Sequence, residues 1–328
     1  MHFDLDVVVS RGPLVESRHR VHAALVDANG VLRGSARDAS LVTMWRSCAK
    51  PFQAMPFVES GAFDTLGWGE EELALSCASH GGEPEHLTRV RAMLNAGGFD
   101  DDDLACGPHE PLSARGAGIV RQSGAAPTRL HNNCSGKHAA MLAFARAAGW
   151  STADYAEAAH PVQQRALASV ARWAALRVER VVQATDGCGV VAFGLPLEAM
   201  AGAFARLAAA AARREEVPSR IVRAMTTHPF LVGGTDRFDT VLMEETGGSV
   251  LSKVGAEGVH TVAVLSESVA FAIKVEDGAI RAQHPAVLRL LQRLGVLPDP
   301  LPDRLVPFLC GSIQNTRGAV VGQIRPAA

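Results

Sequence analysis

No apolar run in the 328-residue chain reaches the ~18–20 residues needed to cross a bilayer. Its start, Met1-His2-Phe3-Asp4-Leu5-Asp6, has neither a basic flank nor an apolar stretch, so we expect a cytoplasmic protein. Excess basic charge is missing too. A formal charge of −2 argues against an electrostatic nucleic-acid partner and leaves small polar or zwitterionic ligands as the better fit. The six cysteines (Cys48, Cys77, Cys106, Cys134, Cys188, Cys310) form no Cys-x-x-Cys pair, and a chain this long needs no disulfide staples. Thiols, or metal ligands for a few of them, are expected. No Gly-x-Gly-x-x-Gly or Walker loop supports a nucleotide cofactor, and no internal repeat or low-complexity linker divides the chain.

What is present is a globular composition in which strands open the chain. Val7-Val8-Val9, Val21–Val26 and Val31-Leu32-Arg33 are apolar or β-branched, and Asn29-Gly30 predicts a tight hairpin between the last two. Helical spacing takes over from Trp45, with Phe52, Met55, Phe57 and Val58 on one face. Further helices are predicted over Glu70–Ser76, from Glu83 with Leu87, Val90, Met93 and Leu94 as its stripe, and over Ala139–Trp150, Pro161–Ala175, Pro196–Ala212 and Phe238–Glu245. Val178–Ala184 reads as a strand. Near the end strands return at Val250–Val254, Thr261–Leu265 and Val269–Val275, followed by a helix over Pro285–Leu294 and an apolar tail at Ala319–Ile324. The expected fold is α+β: an antiparallel sheet built from both chain ends, with a large helical insertion. We expect one domain over 1–328, with a mainly helical subdomain at about 45–245.

Three constellations carry possible chemistry. Ser47 and Lys50 stand three residues apart, so on a helical turn they face the same side. A hydroxyl becomes a nucleophile when a neighbouring base takes its proton, and an amine can do so only when neutral, a form that burial or a second cation favours. By itself the pair is equally a surface helix that happens to read this way. Cys134, Lys137 and Cys188 are the second set: two thiolates suit zinc, while lysine is an uncommon ligand because its ammonium must first lose a proton. Two buried free cysteines and a surface lysine are the plainer reading of those residues alone. Lys253 on a predicted strand, followed by small residues, is similar to the Lys-Thr-Gly element that accompanies Ser-x-x-Lys in penicillin-recognising enzymes. The acidic run Asp100–Asp103 reads as a solvated helix start, Arg213–Glu216 as a solvated helix end, and 226–236 as a motif-like loop.

Five windows then agree in order. Ser-Cys-Ala-Lys-Pro-Phe-Gln-Ala (47–54), Ser-Cys-Ala-Ser-His-Gly-Gly-Glu (76–83), His-Asn-Asn-Cys-Ser-Gly-Lys-His (131–138), Thr-Asp-Gly-Cys-Gly (185–189) and Lys-Val-Gly-Ala-Glu-Gly-Val (253–259) resemble the rhizobial-type L-asparaginases, the asparaginase II family, over nearly the whole chain. The resemblance implies a serine β-lactamase and penicillin-binding-like fold shared with glutaminases, and hydrolysis of L-asparagine to L-aspartate and ammonia. It implies two Ser-Lys tandems, Ser47 with Lys50 and Ser79 with Lys253, and one zinc ion held by Cys134, Lys137 and Cys188. It also implies substrate contacts from Arg46, His138 and Asp186. We expect a homodimer that binds a small-molecule substrate and neither nucleic acid nor membrane. Two other readings stand beside this one: a zinc-dependent amidohydrolase in which metal-bound water attacks, and a non-catalytic amino-acid-binding protein of the same fold.

Overall fold

The computed structural model describes residues 1–327, which form two compact units. The first comprises residues 1–48, 195–209 and 241–327, the second Ala49–Gly194 and Ala210–Thr240.

In the first unit both chain ends do pair antiparallel, but in two sheets. Val7–Arg11 lies between Val320–Pro326 and Leu14–His19, with Val7 opposite Pro326. Gly311–Gln314 completes this sheet. The other sheet has five strands, Leu32–Ala36, Val21–Asp27, Val269–Val275, Val259–Val264 and Val250–Val254 in that order. Its inner strand Val259–Val264 is buried throughout, the polar His260 and Thr261 included. The expected hairpin forms: Asp27 N–H donates to the Val31 carbonyl, and Gly30 takes the left-handed φ of +82° that the turn demands.

Three features of this unit differ from the expectation. Leu14–His19 is a strand that sequence patterning misses, because its first five side chains face solvent or nearly so. The strand read as Thr261–Leu265 begins two residues earlier. The helix read as Pro285–Leu294 runs from Ile280 to Arg293, with the buried Pro285 inside it. A proline near a helical pattern suggests a first turn, whereas here the helix passes through it and packs on strands of both sheets.

The second unit is helical. Lys50–Glu59 buries Phe52, Met55, Phe57 and Val58, the predicted face, against Ser135–Ala147 and Pro161–Ala174. Each such side chain contributes about 1.5–3 kcal/mol of transfer free energy. Glu70–Ser76 forms as read and packs on Glu216–Thr227, a helix that begins at the end of the charged run 213–216 and takes in the first two residues of the expected loop 226–236. In Pro84–Gly97 the buried stripe is His86, Val90, Met93, Leu94 and Gly97, so His86 occupies the place expected for Leu87. The expected strand Val178–Ala184 is instead a 3-10 turn, Val178–Arg180, followed by Val182–Thr185, which pairs antiparallel with the Val191–Gly194 stretch. No helix among the described residues is long and apolar enough to cross a membrane.

Candidate active site

The Ser-x-x-Lys residues sit where a 3-10 turn, Arg46–Ala49, runs into the helix Lys50–Glu59, with Pro51 in the helix's first turn. Arg46 takes a left-handed φ of +54°, a conformation costing about 1–2 kcal/mol in a non-glycine residue. Strain of this kind concentrates at functional sites. Ser47 and Arg46 are half-buried.

The first unit fixes this turn to the strand that carries Lys253. Trp45, fully buried, donates its indole N–H to Thr261 Oγ1 (3.0 Å), and the Cys48 thiol donates to the Lys253 carbonyl (3.0 Å). Gly255 must be small, because a Cβ there would lie 3.1 Å from both Cys48 Sγ and the Trp45 carbonyl. Lys253 is itself fully buried, and its amine donates to the Val254 carbonyl (3.0 Å).

The second unit places Lys50 against Ser79. The buried Lys50 amine donates to Ser79 Oγ (3.1 Å) and to the Ala78 carbonyl. Ser79 lies on the turn after Glu70–Ser76, and its N–H donates to the Val232 carbonyl (3.0 Å). Next to it His80 is enclosed. Gly82 N–H donates to its Nδ1, and its Nε2–H donates to Ser135 Oγ (2.9 Å), which in turn donates to the Leu130 carbonyl. His80 stacks on His86 with ring centroids 5.1 Å apart, and His86 stacks on Phe230 at 4.7 Å. Burial first, then mutual repulsion and the charge of Lys50, hold His80 well below the usual histidine range, and burial does the same for His86.

The octet 131–138 begins a helix, Ser135–Ala147, four residues before the predicted start, so Lys137 and His138 lie in its first turn and Cys134 caps it. Gly136 allows the approach: a Cβ there would sit 2.5 Å from the Leu75 carbonyl oxygen. Lys137 Nζ donates to Cys188 Sγ at 3.1 Å, and the Cys134 thiol is hydrogen-bonded to the same sulfur. Cys188 follows a tight turn in which Gly189 has φ +93° and Asp186 Oδ1 accepts from Gly187 N–H. The bond from Cys134 outweighs burial and, with the Lys137 charge, brings the Cys188 thiol down to about 4. The same bond, with burial, pushes Cys134 up to about 12. Burial opposes the Lys137 charge, but Cys188, Cys134 and Asp186 together raise it above the ordinary lysine value. Lys137 and Cys188 thus form a buried hydrogen-bonded pair beside Cys134, whose sulfur also lies 3.3 Å from Asn133 Oδ1. Among the described residues no group of three or more His, Cys, Asp or Glu side chains is placed to share a metal ion. The donors gathered here are two sulfurs and one amine, a soft set of the kind zinc accepts.

His138 is buried beside this cluster. Tyr155 Oη accepts from Ala105 N–H (2.8 Å) and shares a hydrogen bond with His138 Nδ1 (2.7 Å). Burial, together with the charge of Lys137, lowers His138 to about 3, so the ring is neutral. Its Nε2 is buried with no hydrogen-bond partner among the described residues. An unsatisfied buried donor or acceptor costs about 1–3 kcal/mol, which an arriving partner would recover.

Sequence reasoning missed Tyr155, Cys106, Glu83 and His86. Tyr155 carried a signal, since it is the only tyrosine of the chain and a buried phenol needs a partner. Cys106 lies close enough to Cys134 and Cys188 for their charges to help burial push its thiol up to about 12.

The sequence profile of the L-asparaginase II family matches residues 7–326, and the chain belongs to that family. This is the family its five motifs resemble. No curated protein matches it. Among solved structures, Mglu in its native form is 13% identical with a TM-score of 0.46, over 84% of this chain and 65% of that one, so this chain spans just under two thirds of Mglu's length. A Bacillus glutaminase is 12% identical, with a TM-score of 0.40 over 84% and 91% of the two chains. A β-lactamase from Mycobacterium bovis is 11% identical, with a TM-score of 0.37 over 85% and 96%. Likenesses this distant carry no argument about chemistry.

Proposed function

We propose that the protein hydrolyses L-asparagine to L-aspartate and ammonia through an acyl-enzyme. The observation that carries the reading is the fully buried Lys50 amine, three residues after Ser47 and held 3.1 Å from the Ser79 hydroxyl, in a chain of the L-asparaginase II family. Ser47 Oγ attacks the side-chain amide carbon while Lys50 takes the hydroxyl proton. Lys50 then returns a proton to the departing nitrogen, which leaves as ammonia, and water hydrolyses the resulting ester. Ser79 and Lys253 are the second pair, relaying protons. Arg46, His138 and Asp186 border the substrate, with the unpartnered Nε2 of His138 as a ready hydrogen-bond partner for it.

Cys134, Lys137 and Cys188 would hold one zinc ion, and the buried soft donors fit it. Bound there, zinc would add a fixed positive charge that favours a bound carboxylate. With two thiolates and no histidine or carboxylate among its ligands, it would tune binding rather than supply the nucleophile.

The Lys50–Ser79 hydrogen bond favours a second reading in which Ser79 is the nucleophile and Lys50 its base. Ammonia release from L-asparagine tests the activity. Mass spectrometry of the quenched enzyme distinguishes the nucleophiles: an acyl adduct on the peptide containing Ser47 supports the first reading, and one on Ser79 the second.

A further inference from the structure

The loop read as motif-like at 226–236 has no part in the proposed chemistry, yet it grips the turn that carries Ser79. Its grip converges on one carboxylate. The Glu83 side chain is wholly enclosed. Oε1 accepts from Thr235 N–H (2.7 Å), while Oε2 accepts from the Thr235 hydroxyl (2.7 Å) and from Arg115 Nη1 (2.6 Å). The Ser113 hydroxyl also bonds to the carboxylate. Close approach is built into the backbone. A Cβ on Gly234 would lie 2.7 Å from Glu83 Oε1 and 3.2 Å from Gly81 Cα, and one on Gly81 would lie 2.7 Å from Ser113 Cβ. Around this point Ser113 N–H donates to the Gly81 carbonyl (3.1 Å), Arg237 Nη1 to the Leu112 carbonyl (3.2 Å) and Ser79 N–H to the Val232 carbonyl (3.0 Å).

We propose that Glu83 is a positioning residue of the site, clasping Thr235, Ser113 and Arg115 so that the turn 79–82 presents Ser79 to Lys50. The inference rests on the reading that Ser79 takes part in the reaction. The chemistry of the clasp is one-sided, because every partner is a donor or can act as one, so only a group that accepts on both oxygens satisfies them all. An ionised carboxylate does this. A glutamine of the same shape turns an NH2 toward donors and leaves them unsatisfied. None of the hydrogen bonds of Glu83 runs to Lys50. Its effect passes through the backbone of Gly81 and Gly82 to Ser79, where a displacement of about an ångström is enough to cost a large factor in rate.

The test compares Glu83→Gln, Thr235→Val and Thr235→Ser with wild type by kcat and KM on L-asparagine and by amide hydrogen exchange. We expect Glu83→Gln and Thr235→Val to lower kcat on the order of 10-fold or more with KM little changed. Thr235→Ser, which keeps the hydroxyl, should return kcat to near wild type. Protection of the Ser79 amide should fall in the first two variants while that of the helix Ser135–Ala147 holds. Unchanged Ser79 protection overturns the proposal, and so does loss of protection without loss of kcat. If Glu83→Gln does not fold, Thr235→Val against Thr235→Ser decides. A wild type inactive on asparagine defeats the amidohydrolase reading separately, and exchange at Ser79 then settles the clasp by itself.

Discussion

Lys50 Nζ donates to Ser79 Oγ at 3.1 Å, joining residues 29 apart in the chain. Sequence spacing pairs Lys50 with Ser47, whereas the folded helical unit gives the amine a second hydroxyl. One buried amine beside a serine from another turn can pass a proton onward as well as accept it, which is what acyl transfer with a leaving ammonia requires.

Replacing Ser47 or Lys50 by alanine should each abolish turnover by a factor on the order of 10²–10⁴, with the double variant little worse than either single one, because residues acting as a unit lose the whole effect at the first deletion. Steady-state kinetics with circular dichroism as the fold check measures this. Near-normal turnover in Ser47→Ala with a dead Ser79→Ala would transfer the nucleophile to Ser79.

L-Asparagine should be preferred to L-glutamine. One extra methylene in a fitted pocket costs about 1–3 kcal/mol, or roughly 10–200-fold in kcat/KM. Ammonia release from both amides at matched concentration measures it, and equal rates would refute selectivity.

Cys134→Ala and Cys188→Ala should raise KM for asparagine far more than they lower kcat, in step with a loss of zinc by elemental analysis. Each variant removes one of the two thiolates that, with the neutral Lys137 amine, would hold the ion. Loss of all maximal rate in folded, zinc-free variants would make the protein a metallohydrolase.

The stability of the fold should fall in mild acid. His80 and His86 are held below their ordinary values, so the folded chain binds fewer protons there than the unfolded chain, whose histidines titrate near 6.5. Their contribution is therefore intact above pH ~6.5 and is lost as pH drops toward the lowered folded values. Each histidine contributes a slope of up to about 1.4 kcal/mol per pH unit. Urea unfolding at pH 5, 6 and 7 reads the slope, which His86→Asn should reduce.

Gly136→Ala should destabilise the helical unit by about 1–3 kcal/mol, since its methyl would sit 2.5 Å from the Leu75 carbonyl oxygen. Because the same turn carries Lys137 and His138, asparagine binding should weaken as well. An unchanged thermal midpoint would contradict the packing described here.

The sequence by itself determined what adjacent dihedrals encode. The strands at Val7, Val21 and Val269, the Asn29-Gly30 hairpin and the buried face of Lys50–Glu59 follow from local periodicity and turn chemistry. Five uninterrupted windows carried the family. Tertiary structure decided everything that depends on a partner far along the chain. Lys50 meets Ser79, Tyr155 hydrogen-bonds His138, four donors converge on Glu83, and His86 takes the core position that Leu87 was expected to fill. Leu14–His19 becomes a strand because Val7–Arg11 offers it an edge, and Ile280–Arg293 stays helical through Pro285 because strands of two sheets pack on it. The physical reason is common to these cases. A side chain's intrinsic preference is worth a few tenths of a kcal/mol, while a buried hydrogen bond or packed face is worth one or more, and those partners exist only once the chain has closed its loops.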